Sequence, residues 1–341
     1  MHVAGSIISR TDRNMAARIF IDGEAGTTGL QIKSRLDGRE EFDFIRLDDA
    51  RRKDPEARRE ALNAADVVIL CLPDAAAKEA VSLIENESVR VIDASSAHRT
   101  APGWAYGFPE YEADSRAEIA QARFVTNPGC YAITSVSILH PLVSAGLVPV
   151  EWPVTINAVS GYSGGGKQLI AAFEDPSSPD HTDEAFRVYG LGLAHKHIPE
   201  IRAWGGLSHA PLFVPSVGRF AQGMLVQIPL QLWALPGKPS VDDIHAALTK
   251  HYDGQSYVSV APLSETAAMG KLEPEGLNDT NELRLHVFGN AETQQAVVIG
   301  QLDNLGKGAS GQAVQNLNIM LGLPEGQGLD RPASIDRSSA A

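Results

Sequence analysis

A cysteine set in a turn and two histidines placed two residues apart are the side chains of this sequence best suited to covalent chemistry. Cys130 lies in Asn127-Pro128-Gly129-Cys130-Tyr131, where Pro128 and Gly129 suit a sharp turn and the following residues read as a helix. A thiol at a helix N-terminus sees the positive end of the helix dipole, which favours thiolate and attack on an acyl centre. The second cysteine, Cys71, sits in an apolar run and reads as a core thiol. His195 and His197 share a face if the chain is extended there, and Pro199 can open a helix directly after them. They are the candidates for moving a proton. A metal reading of this pair lacks a third ligand nearby, so no metal is expected. The other histidines (His98, His140, His181, His209, His245, His251 and His286) are isolated and read as structural or surface residues.

A second chemical feature lies near the start. Gly23-Glu24-Ala25-Gly26-Thr27-Thr28-Gly29 follows a short apolar run and precedes a helical stretch. Glycines without Cβ atoms let backbone N–H groups approach a pyrophosphate at a helix N-terminus, and Thr27 and Thr28 add hydroxyl donors. The expected ligand is a dinucleotide. At the end of the second strand, Asp48 and Asp49 suit a ribose 2′-hydroxyl, whereas Arg46 and Arg51 suit a 2′-phosphate. Both chemistries are present; NADP through Arg46 or Arg51 is the expectation, with Arg52 and Lys53 read as a solvated helix start.

These groups need a scaffold. Runs at 17–22, 42–47, 66–72, 89–94 and 123–126 read as strands, with helices predicted to about 36, over 55–64, and from 74 to about 87. Strands alternating with helices predict a doubly wound parallel sheet. After Cys130 a helix to about 145 leads into strands at 154–159, 210–217, 224–233, 256–261, 283–288 and 296–302, interrupted by one long helix near 241–252. That pattern predicts an α+β unit with a mostly antiparallel or mixed sheet. A last amphipathic helix is predicted over 311–321. The fold class expected is therefore α/β, a Rossmann-type sheet plus an α+β catalytic and dimerisation domain. The expected division is a disordered extension over 1–16, a dinucleotide-binding domain over 17–129 and 304–330, a catalytic and oligomerisation domain over 130–303, and a flexible tail over 331–341.

Composition narrows the function. Lys plus Arg total 29 against 42 for Asp plus Glu, a net charge of −13 over 341 residues. Nucleic-acid binders usually carry a basic excess, so neither nucleic acid nor an anionic membrane is an expected partner. Two cysteines fit a reducing compartment, and no signal-like or membrane-spanning run is read, so a cytoplasmic location is expected.

Seven segments in order give the chain a family likeness. They are the 23–29 turn, Asp93-Ala94-Ser95-Ser96-Ala97-His98-Arg99, Gly107-Phe108-Pro109-Glu110, the 127–132 turn, Ser160-Gly161-Tyr162-Ser163-Gly164-Gly165-Gly166-Lys167, His195-Lys196-His197-Ile198-Pro199-Glu200 and Asn304-Leu305-Gly306-Lys307-Gly308-Ala309. From about 17 to 322 the chain resembles the N-acetyl-γ-glutamyl-phosphate reductases of the shorter, second type. Aspartate-semialdehyde dehydrogenase shares the broader architecture and is the alternative; the His-x-His-x-Pro-Glu segment favours the former. The resemblance implies NADPH-dependent reduction of an acyl phosphate, N-acetyl-γ-glutamyl phosphate, in arginine biosynthesis, by a homodimer or homotetramer. It implies Cys130 as nucleophile and one of His195 and His197 as acid/base. Arg99, Ser160, Gly161 and Lys167 would meet the substrate. Gly23, Gly26, Thr27, Thr28, Gly29, Arg46, Leu72, Pro73, Ser163, Asn304, Lys307 and Gly308 would meet NADP(H). Longer-type members carry Arg where Lys167 stands, and Glu110 is given no catalytic role.

Overall fold

The computed structural model describes residues 16–48, 50–52 and 54–329. Asp49, Lys53, the tail 331–341 and all but the last residue of the extension 1–16 lie outside the described residues.

Two sheets organise the chain. The first holds β1 (Ala17–Asp22), β2 (Phe42–Ile45), β3 (Val67–Leu70), β4 (Arg90–Asp93), β5 (Ala105–Tyr106) and β6 (Phe124–Thr126). All pairings are parallel, in the order β2-β1-β3-β4-β6-β5. Helices α1 (Thr27–Leu36), α2 (Pro55–Ala64), α3 (Asp74–Ser82) and α4 (Ser115–Gln121) connect these strands. Alternation along each strand feeds two cores, as a sheet covered on both faces requires. Ile19, Ile21, Val67 and Ile69 pack with Ile32 and Leu36 of α1, while Phe20, Val68 and Leu70 pack with Ala61, Leu62 and Ala77 of α2 and α3. Asp54 starts α2 by accepting from the Glu56 and Ala57 N–H groups, with Pro55 in the first turn.

The register places the carboxyl ends in one row. Asp22 is level with Leu70, Leu70 with Asp93, and Asp93 with Thr126. The segments 23–26, 71–73, 94–99 and 127–130 therefore leave the sheet at the same edge. Strand order reverses between β1 and β3, and such a crevice is where open α/β sheets bind ligands.

From Cys130 onward the chain builds a seven-stranded mixed sheet, ordered β11-β12-β13-β10-β7-β9-β8. Its strands are β7 (Thr155–Gly161), β8 (Phe186–Val188), β9 (Leu212–Gly218), β10 (Met224–Gln231), β11 (Val258–Val260), β12 (Leu283–Asn290) and β13 (Gln295–Leu302). The helices are α5 (Cys130–Ser144), α6 (Gly166–Glu174), α7 (Ile198–Trp204), α8 (Val241–His251) and α9 (Leu263–Ala268). One face carries Ile156, Phe213, Val226, Ile228, Val298 and Leu285 into a core with Ile133, Ile138 and Leu142 of α5. The opposite face presents Val159, Leu212, Val214, Phe288, Val297 and Ile299, all only partly buried or exposed. After β13 a π-helical turn (Gly306–Ser310) runs into α10 (Gly311–Met320), whose Val314 and Leu317 join the core beside Ile19 and Ile32 of the first sheet.

Several elements differ from the sequence expectation. Helix α3 stops at Ser82 rather than near 87, because Asn63 ties down the Leu83 carbonyl and the N–H groups of Glu85 and Asn86. Strands β5 and β8 are too short to show a period of two. Helix α4 adds to the first sheet's helices, α6 and α9 add to the one long helix expected among the later strands, and the π-turn before α10 has no sequence signal that periodicity detects.

Candidate active site

The row of carboxyl ends opens onto a cleft of about 530 Å³. Thr27, Thr28, Ala94, Arg99, Asn127, Gly129 and Cys130 line it from the first sheet's edge. Ser160, Gly161, Ser163, His195, Lys196, His197, Asn304 and Gly308 close it from the other side.

At the first edge Gly23 has φ of +91°, a backbone region glycine adopts without strain. A Cβ there would stand 2.3 Å from the Cys71 carbonyl oxygen and 3.2 Å from Leu72. The turn thus lies flat against the 71–73 segment, and a Cβ on Gly29 would in turn strike the Gly23 carbonyl at 2.4 Å. Gly26 caps α1 with no side-chain acceptor for its first N–H groups. Those N–H groups, with the Thr27 and Thr28 hydroxyls, make a cradle that fits the pyrophosphate of a dinucleotide. Arg46 lies beyond the end of β2, largely exposed, 3.4 Å from Asp37.

Cys130 is the first residue of α5, and Gly129 is the extended residue before it. A Cβ on Gly129 would meet Arg99 Nη1 at 2.4 Å and His197 Nε2 at 2.5 Å, so both side chains press against the backbone that carries the thiol. Gly308 fills the same role opposite: a Cβ there would come within 2.8 Å of Cys130 Cβ. Burial pushes the Cys130 thiol up, against the lowering pull of the Tyr131 backbone N–H, Arg99 and Lys196. The net direction is opposite to the one expected from the helix dipole alone, because a buried sulfur loses hydration in its charged form. A base beside the thiol is therefore needed.

Both histidines are held neutral. Burial, with Lys196 and Arg99, takes His195 down to about 4. Burial and then Arg99 hold fully buried His197 well below the ordinary range. His195 Nδ1 accepts from the His197 backbone N–H at 3.1 Å, which leaves the His195 proton on Nε2. His197 Nδ1 is buried without a hydrogen-bond partner.

Glu200, one helical turn after His197, connects the parts. Its Oε1 accepts from Tyr106 OH at 3.0 Å and from the Gly129 N–H at 3.0 Å, and Oε2 accepts from Arg99 Nη1 at 3.0 Å. Burial pushes its carboxyl up, opposed first by Arg99. Arg99 also donates Nε to the Asn127 carbonyl and Nη2 to the Ala94 carbonyl. The residues before it are pinned by the Asp93–His98 contact at 2.6 Å.

Two expected residues lie elsewhere. Lys307 is fully buried and does not face the cleft: Nζ donates to Glu110 at 2.9 and 3.0 Å and to Gln315 at 2.8 Å. Successive residues of a helical turn point about 100° apart, so with Gly308 against Cys130 its neighbour faces away. Lys167 is exposed on α6 and lies outside the cleft lining. Leu72 lies against the Gly23 turn, and neither it nor Pro73 is part of the cleft lining. Conversely, Asn127, Arg187, Tyr189, Lys196 and Glu200 belong to the site without having been assigned a role from sequence. Only Glu200 had a legible signal, its three-residue helical spacing from His197. Among the described residues no group of three or more potential metal ligands occurs, and no helix is long and apolar enough to cross a membrane.

Two family models match the chain: "Semialdehyde dehydrogenase, NAD binding domain" over residues 21–122 and "Semialdehyde dehydrogenase, dimerisation domain" over residues 130–304. N-acetyl-gamma-glutamyl-phosphate reductase 2 of Nostoc sp. is 51% identical over 318 residues, covering 92% of this chain and 99% of that protein. The N-acetyl-gamma-glutamyl-phosphate reductase of Brucella ovis is 52% identical over 309 residues, covering 90% and 100%. Among solved structures, aspartate semialdehyde dehydrogenase II of Vibrio cholerae, complexed with ASA, superposes with a TM-score of 0.65 at 14% identity, covering 90% of this chain and 99% of that one. The Candida albicans aspartate semialdehyde dehydrogenase with NADP gives 0.60 at 14% identity, covering 90% and 98%.

Proposed function

The chain belongs to the semialdehyde dehydrogenase family, and within it to the N-acetyl-γ-glutamyl-phosphate reductases, and from that premise we propose that it reduces N-acetyl-γ-glutamyl phosphate to N-acetylglutamate semialdehyde and phosphate with NADPH. The observation that carries this reading is Cys130 at the head of α5, with His197 Nε2 against the Gly129 backbone and the glycine cradle at the same sheet edge.

His197 takes the thiol proton, and the sulfur attacks the γ-carbonyl. The C–O bond to phosphate breaks, leaving a thioester on Cys130. The backbone N–H groups of the first turn of α5 stabilise the developing oxyanion. Lys196 is exposed at the cleft and has no carboxylate partner among the described residues, so its charge meets the departing phosphate together with that of Arg99. Ser160, Gly161 and Ser163 shape the pocket, with Asn304 fixed by donating to Ser163 Oγ at 3.1 Å and accepting from the Gly223 N–H at 2.8 Å. Gly23, Gly26, Thr27, Thr28 and Gly29, with Arg46 near a 2′-phosphate, would hold NADP(H), which would supply the hydride; the C–S bond then breaks, releasing the aldehyde and returning the thiolate to Cys130. His195, with its proton on Nε2, orients the carbonyl group.

Residues 17–129 with 304–330 form the dinucleotide-binding unit in this reading, and 130–303 the catalytic and oligomerisation unit. The apolar outer face of the second sheet supports assembly as a homodimer or homotetramer in the cytoplasm. The test is phosphate-dependent reduction of NADP in the reverse direction, with N-acetylglutamate semialdehyde and aspartate semialdehyde supplied separately. Activity with the acetylated aldehyde, lost in Cys130→Ser, is expected. Activity with aspartate semialdehyde alone would overturn the substrate while keeping the cysteine chemistry.

A further inference from the structure

The edge strand β8 carries a cation into the cleft. Phe186 and Val188 point outward, 56% and 41% exposed. Arg187 between them points the opposite way, level with Val217 of β9, and lines the cleft beside Tyr189. Its guanidinium carbon lies 5.3 Å from the centre of the Phe173 ring, and Nε is 2.7 Å from a carboxylate oxygen of half-exposed Glu184. Among the described residues neither Nη1 nor Nη2 has a hydrogen-bond acceptor. The fork is seated by an aromatic face, and its open end has no protein partner.

Three cations border the cleft, and they are not equivalent. Arg99 has each guanidinium nitrogen donating to the protein. Arg99 packs against Gly129, the residue before Cys130, and Lys196 stands between the two histidines, whereas Arg187 reaches the cleft from β8 at the outer edge of the second sheet, beside Phe173. On the reaction proposed above, the substrate carries a phosphate at the reacting carbon and a carboxylate at the far end. The geometry points to Arg187 as the residue that recognises this far carboxylate and so selects carboxylate-bearing substrates over neutral ones. A planar fork with two free ends suits a carboxylate in bidentate fashion. The inference rests on the acyl-phosphate reading, and its test separates the two.

The assay is the reverse reaction with NADP, phosphate and either N-acetylglutamate semialdehyde or its methyl ester. Arg187→Gln should raise KM for the free acid by about 10- to 100-fold, the range expected for hydrogen bonds to a charged group. KM for phosphate, KM for the ester and the affinity for NADP should stay within about twofold. Arg187→Lys should recover part of the loss. Arg219→Gln is the control: Arg219 flanks the same Phe173 ring but bonds Asp183 and the Thr182 carbonyl outside the cleft lining, so it should leave every KM unchanged. An unchanged KM for the acid, an equal rise for acid and ester, or a rise for phosphate or NADP overturns the assignment. If the wild type turns over neither aldehyde, the reaction reading fails. Calorimetric binding of N-acetylglutamate then decides Arg187 alone, with loss of binding in Arg187→Gln supporting it and equal binding overturning it.

Discussion

Replacing Glu110 with glutamine isolates the ion pair behind the cleft wall. Lys307 and Glu110 are both fully buried, and the pair ties the π-turn that carries Gly308 to the segment after β5. Glutamine keeps the shape and one acceptor oxygen but removes the charge. Breaking one side of a buried pair costs about 3–5 kcal/mol, and the retained oxygen together with Gln315 sets the expectation at the lower end, about 3 kcal/mol. At about 2–4 °C per kcal/mol, Tm should fall by about 6–12 °C. The pH dependence is the stricter test. Burial already holds Lys307 below the ordinary lysine range, and Glu110 is the largest influence raising it. Without Glu110 the amine sinks further. A base whose folded pKa lies below its unfolded value binds fewer protons in the fold, so stability rises with pH. The deficit is complete below the folded pKa and gone above the unfolded one, near about 10.4. Calorimetric scans of wild type and Glu110→Gln should therefore converge as the pH rises toward about 10. A Tm difference below about 2 °C at pH 7, or one that stays constant to pH 10, would refute the reasoning.

Gly23→Ala should weaken NADP binding by more than about tenfold in a fluorescence titration, since its Cβ would stand 2.3 Å from the Cys71 carbonyl; wild-type affinity would show that the turn is not the cradle. Glu200→Gln removes a charge that raises the Cys130 thiol, so iodoacetamide should alkylate Cys130 several-fold faster at neutral pH, and a slower rate would contradict the assignment. With His195 near 4 and His197 well below its ordinary range, both imidazoles stay neutral in mild acid. The acidic limb of kcat/KM should fall below about pH 5, and a limb centred near about 6.5 would mean that neither is the base.

The first sheet was legible because its strands announce themselves twice, by apolar runs such as 67–70 and by the glycine turn that ends β1. Cys130 and Cys71 could be told apart by their neighbours: turn residues flank one, and strand residues flank the other. Lys307 misled for a geometric reason. Its neighbours Asn304 and Gly308 do face the cleft, but a helical turn sends adjacent side chains in different directions, and the partner that claims it is 197 residues away. Glu110 is given no role by the sequence because the contact that defines it exists only across that same distance. Arg187 lies in a three-residue strand, too short for alternation to say which side faces in. The buried Arg99–Glu200 pair joins residues 101 apart, and only the three-dimensional meeting of β4's loop with α7 shows it.

The level row formed by Asp22, Leu70, Asp93 and Thr126 separates the part of the protein that must be invariant in shape from the part that can vary. Below the row lie two apolar cores in which a lost methylene is felt. Above it, each contribution to the cleft arrives on its own connection. Lengthening such a connection is cheap, about 0.6 kcal/mol per doubling. A protein built this way can explore new substrates by altering one loop at a time while its folding is left alone. A laboratory library aimed at changed acyl selectivity should accordingly confine diversity to residues 189–194, the connection between β8 and the two histidines, and leave the strands and the catalytic side chains untouched.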